Sequence, residues 1–186
     1  MGAVAILGGT FDPVHNTHLA MARAAMAALA PSRLLWIPTG SPGYRNAPLA
    51  AAPHRLAMLR LALAGEPRYV IDERELAPGA SAYTYDTLSA LRADLGTQTP
   101  LVLLMGADQY AAIRTWHRWR ELPGLARIAV FARPGYTAPE GVQTIPMTPS
   151  DVSASAIRAN ISANQDVSAL LPSAVLDYIR DNHLYH

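Results

Sequence analysis

The chain has 186 residues, with 15 basic and 14 acidic side chains and a formal charge of +1. All 15 basic positions are Arg, and there is no Lys and no Cys. These absences exclude Schiff-base and PLP chemistry, the Gly-Lys-Ser/Thr phosphate loop, thiol nucleophiles, thiolate metal sites and disulfides.

In chain order, the wholly apolar run Val4–Leu7 predicts a first strand, and a loop leads from it to a helical pattern over His18–Leu29, stopped by Pro31. Leu34–Ile37 predicts a second buried strand, closed by Pro38. After a Pro- and Gly-containing loop over Thr39–Ala52, Pro53–Leu63 reads as a helix with Leu56, Leu59 and Leu63 on one side. Tyr69–Asp72 predicts a strand, Thr84–Leu95 a helix, Leu101–Met105 a strand and Ala107–Ile113 a short helix. Ile128–Phe131 and the weaker Val142–Ile145 complete the strands, and Ser155–Ile161 and Pro172–Arg180 predict two final helices. Short apolar strands alternating with helices imply right-handed β-α-β units. The expected fold is therefore α/β, a Rossmann-like doubly wound parallel sheet with a small C-terminal helical portion. Such sheets bind ligands beyond the carboxyl ends of their strands.

Hydrophobic content of 51% argues against disorder. The length suits one core, so residues 1–186 read as a single domain. A charge of +1 gives no global drive toward nucleic acid or anionic lipid. The apolar start is too short for a signal peptide's apolar core, and no apolar run reaches the ~20 residues that span a bilayer. The expectation is a cytoplasmic protein with no nucleic-acid and no membrane partner, with a homo-oligomer left open.

The strongest signal follows the first strand: Gly8-Gly9-Thr10-Phe11-Asp12-Pro13-Val14-His15-Asn16-Thr17-His18-Leu19. Paired glycines let backbone amides approach anionic oxygens, and Thr10 adds a hydroxyl. His15 and His18 share one face if the helix has begun, at its positive end, where imidazoles can donate to phosphate oxygens. The competing readings are a metal held by Asp12 and the two histidines, or a plain tight turn. No further ligand cluster supports the metal.

This string resembles the opening of the bacterial nicotinate-nucleotide adenylyltransferases, within the wider nucleotidyltransferase superfamily that carries a His-x-Gly-His motif. One position departs: the family usually has Gly where this chain has Thr17. A β-branched residue there either crowds the ribose or adenine or shifts the helix start. Later segments extend the likeness over nearly the whole chain. Gly106-Ala107-Asp108 is similar to the family's segment against the adenosine half of the nucleotide, with capping of the next helix as the alternative role for Asp108. Tyr83-Thr84-Tyr85-Asp86-Thr87-Leu88 and Trp116-His117 resemble the family's nicotinate pocket, in which an indole stacks on the pyridine while Thr84 and the His117 amide receive the carboxylate. A basic-aromatic RNA patch over Arg114–Arg120 is the rival reading of that second segment. Ser153-Ala154-Ser155-Ala156-Ile157-Arg158 resembles the family's Ser-Ser-Thr-x-Ile-Arg signature, with Ala154 and Ser155 standing where Ser and Thr are usual. Arg133-Pro134-Gly135 matches a family turn. The loop Ser41-Pro42-Gly43-Tyr44-Arg45 departs from Pro-Pro-His-Lys/Arg but keeps its terminal base.

The resemblance implies adenylyl transfer from ATP to nicotinate mononucleotide, giving nicotinate adenine dinucleotide and pyrophosphate, with Mg²⁺ accompanying ATP and no metal site on the protein. It implies His15, His18 and Arg158 as catalytic. Gly8, Gly9, Thr10, Phe11, Gly106, Asp108, Ser153, Ser155 and Arg45 are implied for ATP. Tyr83, Thr84, Trp116 and His117 are implied for the nicotinate nucleotide. The alternatives are an adenylyltransferase for nicotinamide mononucleotide or phosphopantetheine, and a non-catalytic nucleotide-binding regulator.

Overall fold

The strands β1 (Val4–Gly9), β2 (Arg33–Pro38), β3 (Tyr69–Ile71), β4 (Leu101–Gly106), β5 (Arg127–Phe131) and β6 (Gln143–Ile145) form one sheet in the order β3-β2-β1-β4-β5-β6. Every pairing is parallel. These come from a computed structural model that describes residues 2–40, 47–132, 139, 141–148 and 150–186. Arg45 with its loop, and Arg133-Pro134-Gly135, lie outside the described residues.

The strand order explains why the central strands read as unbroken apolar runs, since side chains alternate between two covered faces. On one face Ala5, Leu7, Leu34, Trp36, Val102 and Leu104 pack under α1 (Asn16–Leu29), α2 (Ala52–Leu63), α6 (Ala154–Ser162) and α7 (Ser173–Asp181). On the other, Val4, Ile6, Leu35, Ile37, Leu101 and Leu103 pack under α3 (Thr84–Leu95), α4 (Ala107–Ala111) and α5 (Leu122–Leu125). The doubly wound parallel sheet expected from the alternation is present. The C-terminal helices share the core of α1 and α2.

The order reverses between β1 and β4, whose connections leave in opposite directions. The crevice at their carboxyl ends is where such a sheet accepts a ligand, and Gly8, Gly9 and Gly106 stand there. Boundaries moved by a few residues: α1 begins at Asn16, and β3 stops at Ile71. The helix expected to Ile113 ends at Ala111 and continues as a 3-10 turn, Ile113–Thr115. Two further 3-10 turns, Arg74–Leu76 and Trp119–Glu121, and α5 had no counterpart in the periodicity. In α2 the inward face is Arg55, Met58, Leu59 and Leu63, so Arg55 takes the buried place expected for Leu56.

Candidate active site at the carboxyl end of the sheet

The loop after β1 is shaped from below by Phe11. Its backbone is left-handed (φ 49°), and its ring is 2% exposed, edge-on to His18 at 5.1 Å and tilted against Trp36 at 5.4 Å. A Cβ on Gly9 would meet that ring at 2.9 Å, whereas a Cβ on Gly8 would meet open space. Gly9 is thus required by packing, and Gly8 leaves the backbone bare toward the crevice. With its ring turned inward, Phe11 can offer a nucleotide only its main chain.

His15 sits at the N-cap of α1, and its amide donates to Nδ1 of His18 at 3.2 Å. That bond makes Nδ1 the acceptor, so the neutral His18 ring carries its proton on Nε2. The two rings lie tilted with centroids 3.8 Å apart, and Nδ1 of His15 is buried without a partner among the described residues. Burial pushes His15 down to about 4. Burial, and then the charge of His15, holds His18 well below the usual imidazole range. Both are neutral hydrogen-bonding groups in the free protein. Thr17 lies in the first turn of α1, and its hydroxyl is 2.8 Å from that of Ser150, tying the helix start to the chain that leads into α6.

Asp12 is the junction of the site, and it is 3% exposed. Its carboxylate accepts from the amides of Leu49 (2.8 Å) and Ala50 (3.1 Å) and from the hydroxyl of Tyr185 (2.7 Å). Arg158 reaches the same place, donating to the carbonyl of Asp12 at 2.6 Å and lying 3.9 Å from its carboxylate. The other end of the Arg158 guanidinium donates to Ser155 at 3.3 Å. Burial, and then the Asp12 carboxylate, push the Tyr185 phenol upward, so it stays a donor. Ser153 accepts from the amide of Ala156 at 3.2 Å and caps α6. Asp108 is exposed at the start of α4, whose N-cap, Gly106, has its amide bound to Gln109 at 3.1 Å. A Cβ on Gly106 would fall 2.6 Å from the Asp108 carboxylate, so a side chain there would displace that exposed carboxylate from its present position.

Arg55 was missed by the sequence reading. It is 1% exposed, and one Nη donates to the carbonyls of Thr10 (2.7 Å) and Thr39 (2.8 Å), joining the ends of β1 and β2 beneath the loop. Burial lowers its pKa, with Asp12 and Tyr185 acting in opposition. Its signal was the i, i+3, i+4 spacing with Met58 and Leu59, which places an arginine on the apolar face.

The four residues predicted for the pyridine, Tyr83, Thr84, Trp116 and His117, line one cavity of about 560 Å³ together with Gly8 and Gly9. Tyr83 stacks on His117 at 4.5 Å, and the Trp116 amide is held by the carbonyl of Ile113 at 3.0 Å. Thr87, from the same predicted segment, also lines it, as does Glu75, which was not foreseen. Ser155 and Arg158 open onto a second cavity of about 540 Å³, walled by the partners of Asp12: Leu49, Ala50 and Tyr185. In the basic-aromatic stretch, Arg118 lies 3.6 Å over the ring of Tyr85 and pairs with Glu121, while Arg120 covers Trp119 at 5.0 Å. Among the described residues no group of three or more His, Asp or Glu could hold a metal ion, and no helix is long and apolar enough to cross a membrane.

A family model described as cytidylyltransferase-like matches residues 6–160. A protein of Laribacter hongkongensis is 42% identical, over 98% of this chain and 94% of its own length. One of Chromobacterium violaceum is 40% identical, over 98% of each. Both bear the name "Probable nicotinate-nucleotide adenylyltransferase". The structure of Plasmodium falciparum nicotinic acid mononucleotide adenylyltransferase complexed with NaAD superposes with a TM-score of 0.84 at 17% identity, covering 100% of this chain and 98% of that one. The family match over residues 6–160 and the near-complete coverage by relatives about 40% identical converge, and the chain belongs to the nicotinate-nucleotide adenylyltransferase family of cytidylyltransferase-like proteins.

Proposed function

We propose that the protein transfers the adenylyl group of ATP to nicotinate mononucleotide, releasing pyrophosphate and forming nicotinate adenine dinucleotide, a step of NAD biosynthesis. The observation that carries this reading is the single cavity in which Trp116, Thr84 and His117 meet Gly8 and Gly9. An indole offers a face to a flat pyridine ring, and a hydroxyl with a backbone amide suits its carboxylate. A flexible pantetheine chain has no use for that arrangement. The chain is taken as one nucleotidyltransferase domain over residues 1–186, working in the cytoplasm and with no nucleic-acid partner.

The mononucleotide phosphate is already anionic near neutral pH, so no general base is needed. One of its oxygens attacks the α-phosphorus in line. The new P–O bond forms as the bond to the bridging oxygen breaks, and pyrophosphate departs with that electron pair. Catalysis is then positioning and charge stabilisation. In this reading His15 and His18 donate to the phosphates, and a bound phosphate draws their imidazoles back toward the cation. Arg158, with Ser155 and the capped α6 start at Ser153, takes the outer phosphates. The backbone from Gly8 to Phe11 cradles the chain of phosphates, and Gly106 and Asp108 lie along the adenosine. Arg45 is assigned as a closing clamp on sequence grounds alone. Mg²⁺ would arrive with ATP as part of the substrate and supply charge neutralisation at the triphosphate.

The test is pyrophosphate release with ATP and Mg²⁺, comparing nicotinate mononucleotide, nicotinamide mononucleotide and phosphopantetheine. Fastest release with nicotinate mononucleotide is expected. Preference for either rival substrate, or ATP binding with no release, would replace this reading by an alternative adenylyltransferase or a nucleotide-binding regulator.

A further inference from the structure

A buried carboxyl stands in the wall of the proposed pyridine cavity and, among the described residues, forms no ion pair. Glu75, in the 3-10 turn Arg74–Leu76, is 8% exposed and lines the cavity with Thr39, Thr87 and Trp116. The hydroxyl of Thr87 donates to Oε1 of Glu75 at 2.6 Å, and Thr39 makes a further side-chain hydrogen bond to it. The turn is held in place from behind, since a Cβ on Gly40 would collide with the carbonyl oxygen of Glu75. The adjacent Arg74 is engaged elsewhere, with its guanidinium on Asp72 at 2.9 Å and Asp94 at 3.0 Å. Among the described residues, no Arg or His nitrogen lies within ion-pair distance of Glu75. Burial pushes its carboxyl up, while the hydroxyl donors act toward the ionised form.

A buried carboxylate is costly unless a positive group meets it. Among the described residues the charge of Arg74 reaches Glu75, but its guanidinium is committed to Asp72 and Asp94, so an occupant of the cavity is placed to supply the facing positive group. A pyridine mononucleotide does so by its chemistry, because glycosylation of the ring nitrogen leaves a quaternary, delocalised cation. A flat cation between an indole face and a carboxylate is favoured by both. The ring's own carboxylate need not oppose Glu75. Its proposed donor, Thr84, lies one helical turn before Thr87 on α3, so the two side chains share one face with Cβ atoms about 5–6 Å apart.

We propose that Glu75 is a specificity residue that selects the cationic, N-glycosylated pyridinium ring over a neutral ring of the same shape. The proposal rests on the adenylyl-transfer reading and adds the charge state of the ring that the site takes.

The test is calorimetric binding of nicotinate mononucleotide and of its 1,4-dihydro form, whose ring is neutral and whose ribose, phosphate and carboxylate are unchanged. Wild type should bind the pyridinium form about tenfold or more tighter. Glu75→Gln should lower that ratio by about fivefold or more, and Glu75→Asp should retain most of it. General loosening of the fold weakens both ligands alike and leaves the ratio unmoved. Thr87→Val, which removes a donor to the ionised form, should lower the ratio too and serves if Glu75→Gln does not fold. Equal affinity of wild type for the two rings, or an unchanged ratio in Glu75→Gln or Thr87→Val, overturns the proposal. Normal pyrophosphate release with no ring-charge preference defeats the role of Glu75 alone; absence of release with nicotinate mononucleotide defeats the adenylyl-transfer reading itself.

Discussion

At the scale of single residues, His18 leaves one ring group for a phosphate, because its Nδ1 is taken by the His15 amide. A donor aimed at developing charge is worth about tenfold or more in rate. His18→Ala should therefore cut pyrophosphate release by about tenfold or more while the protein stays folded; release near the wild-type rate would remove His18 from the machinery. Both histidines were legible in the sequence because they belong to one contiguous string beside paired glycines. Their neutrality was not, since it arises from burial among side chains remote in sequence. Asp12 and Arg55 show the same limit. Asp12 read only as a motif member or a metal ligand and Arg55 as an ordinary helix residue, and each acquires its role from carbonyls, amides and a phenol that other elements bring to it.

At the scale of elements, the apolar strands and amphipathic helices were visible because their periods are local, and the errors fall where the period is short or absent. The 3-10 turns span three residues each, too few for any repeat. The helix α5 carries Pro123 and Gly124, a pair that reads as a breaker, yet Pro is tolerated in the first turn of a helix. The end of α1 invites an experiment. Ala30 closes it in a left-handed conformation (φ 43°, ψ 48°), is exposed, and stands where Gly is the usual residue. Relieving that backbone strain by Ala30→Gly should stabilise the protein by about 0.5–1 kcal/mol, despite the greater freedom Gly has when unfolded. Denaturant titration would show this as a raised midpoint, and a lowered one would mean that the conformation carries no strain.

At the scale of the whole molecule, two core layers close over a sheet whose carboxyl edge carries the site, and the buried histidines link that site to global stability. Above pH 6.5 the ring of His15 is neutral whether folded or unfolded. Between 6.5 and about 4 the unfolded chain takes up a proton that the folded protein refuses, so stability falls as pH falls, by about 3 kcal/mol in total for this group. His18 acts in the same direction. Glu75, with its carboxyl pushed up, acts in the opposite sense over the range just above the ordinary carboxyl value. The melting temperature should therefore drop from pH 7 to pH 5, and His15→Gln should flatten that drop; an equal slope in the two proteins would contradict the buried neutral imidazole. The sequence by itself determined the class of fold and the family, because alternation, helical period and a contiguous motif are properties of neighbouring residues. Only the tertiary structure decided which groups meet: Tyr185 with Asp12 across 173 positions, Arg158 with the same loop across 146, and Glu75 facing the pyridine cavity. Such encounters are set by how the sheet and its helices close on one another, and they leave no periodic trace along the chain.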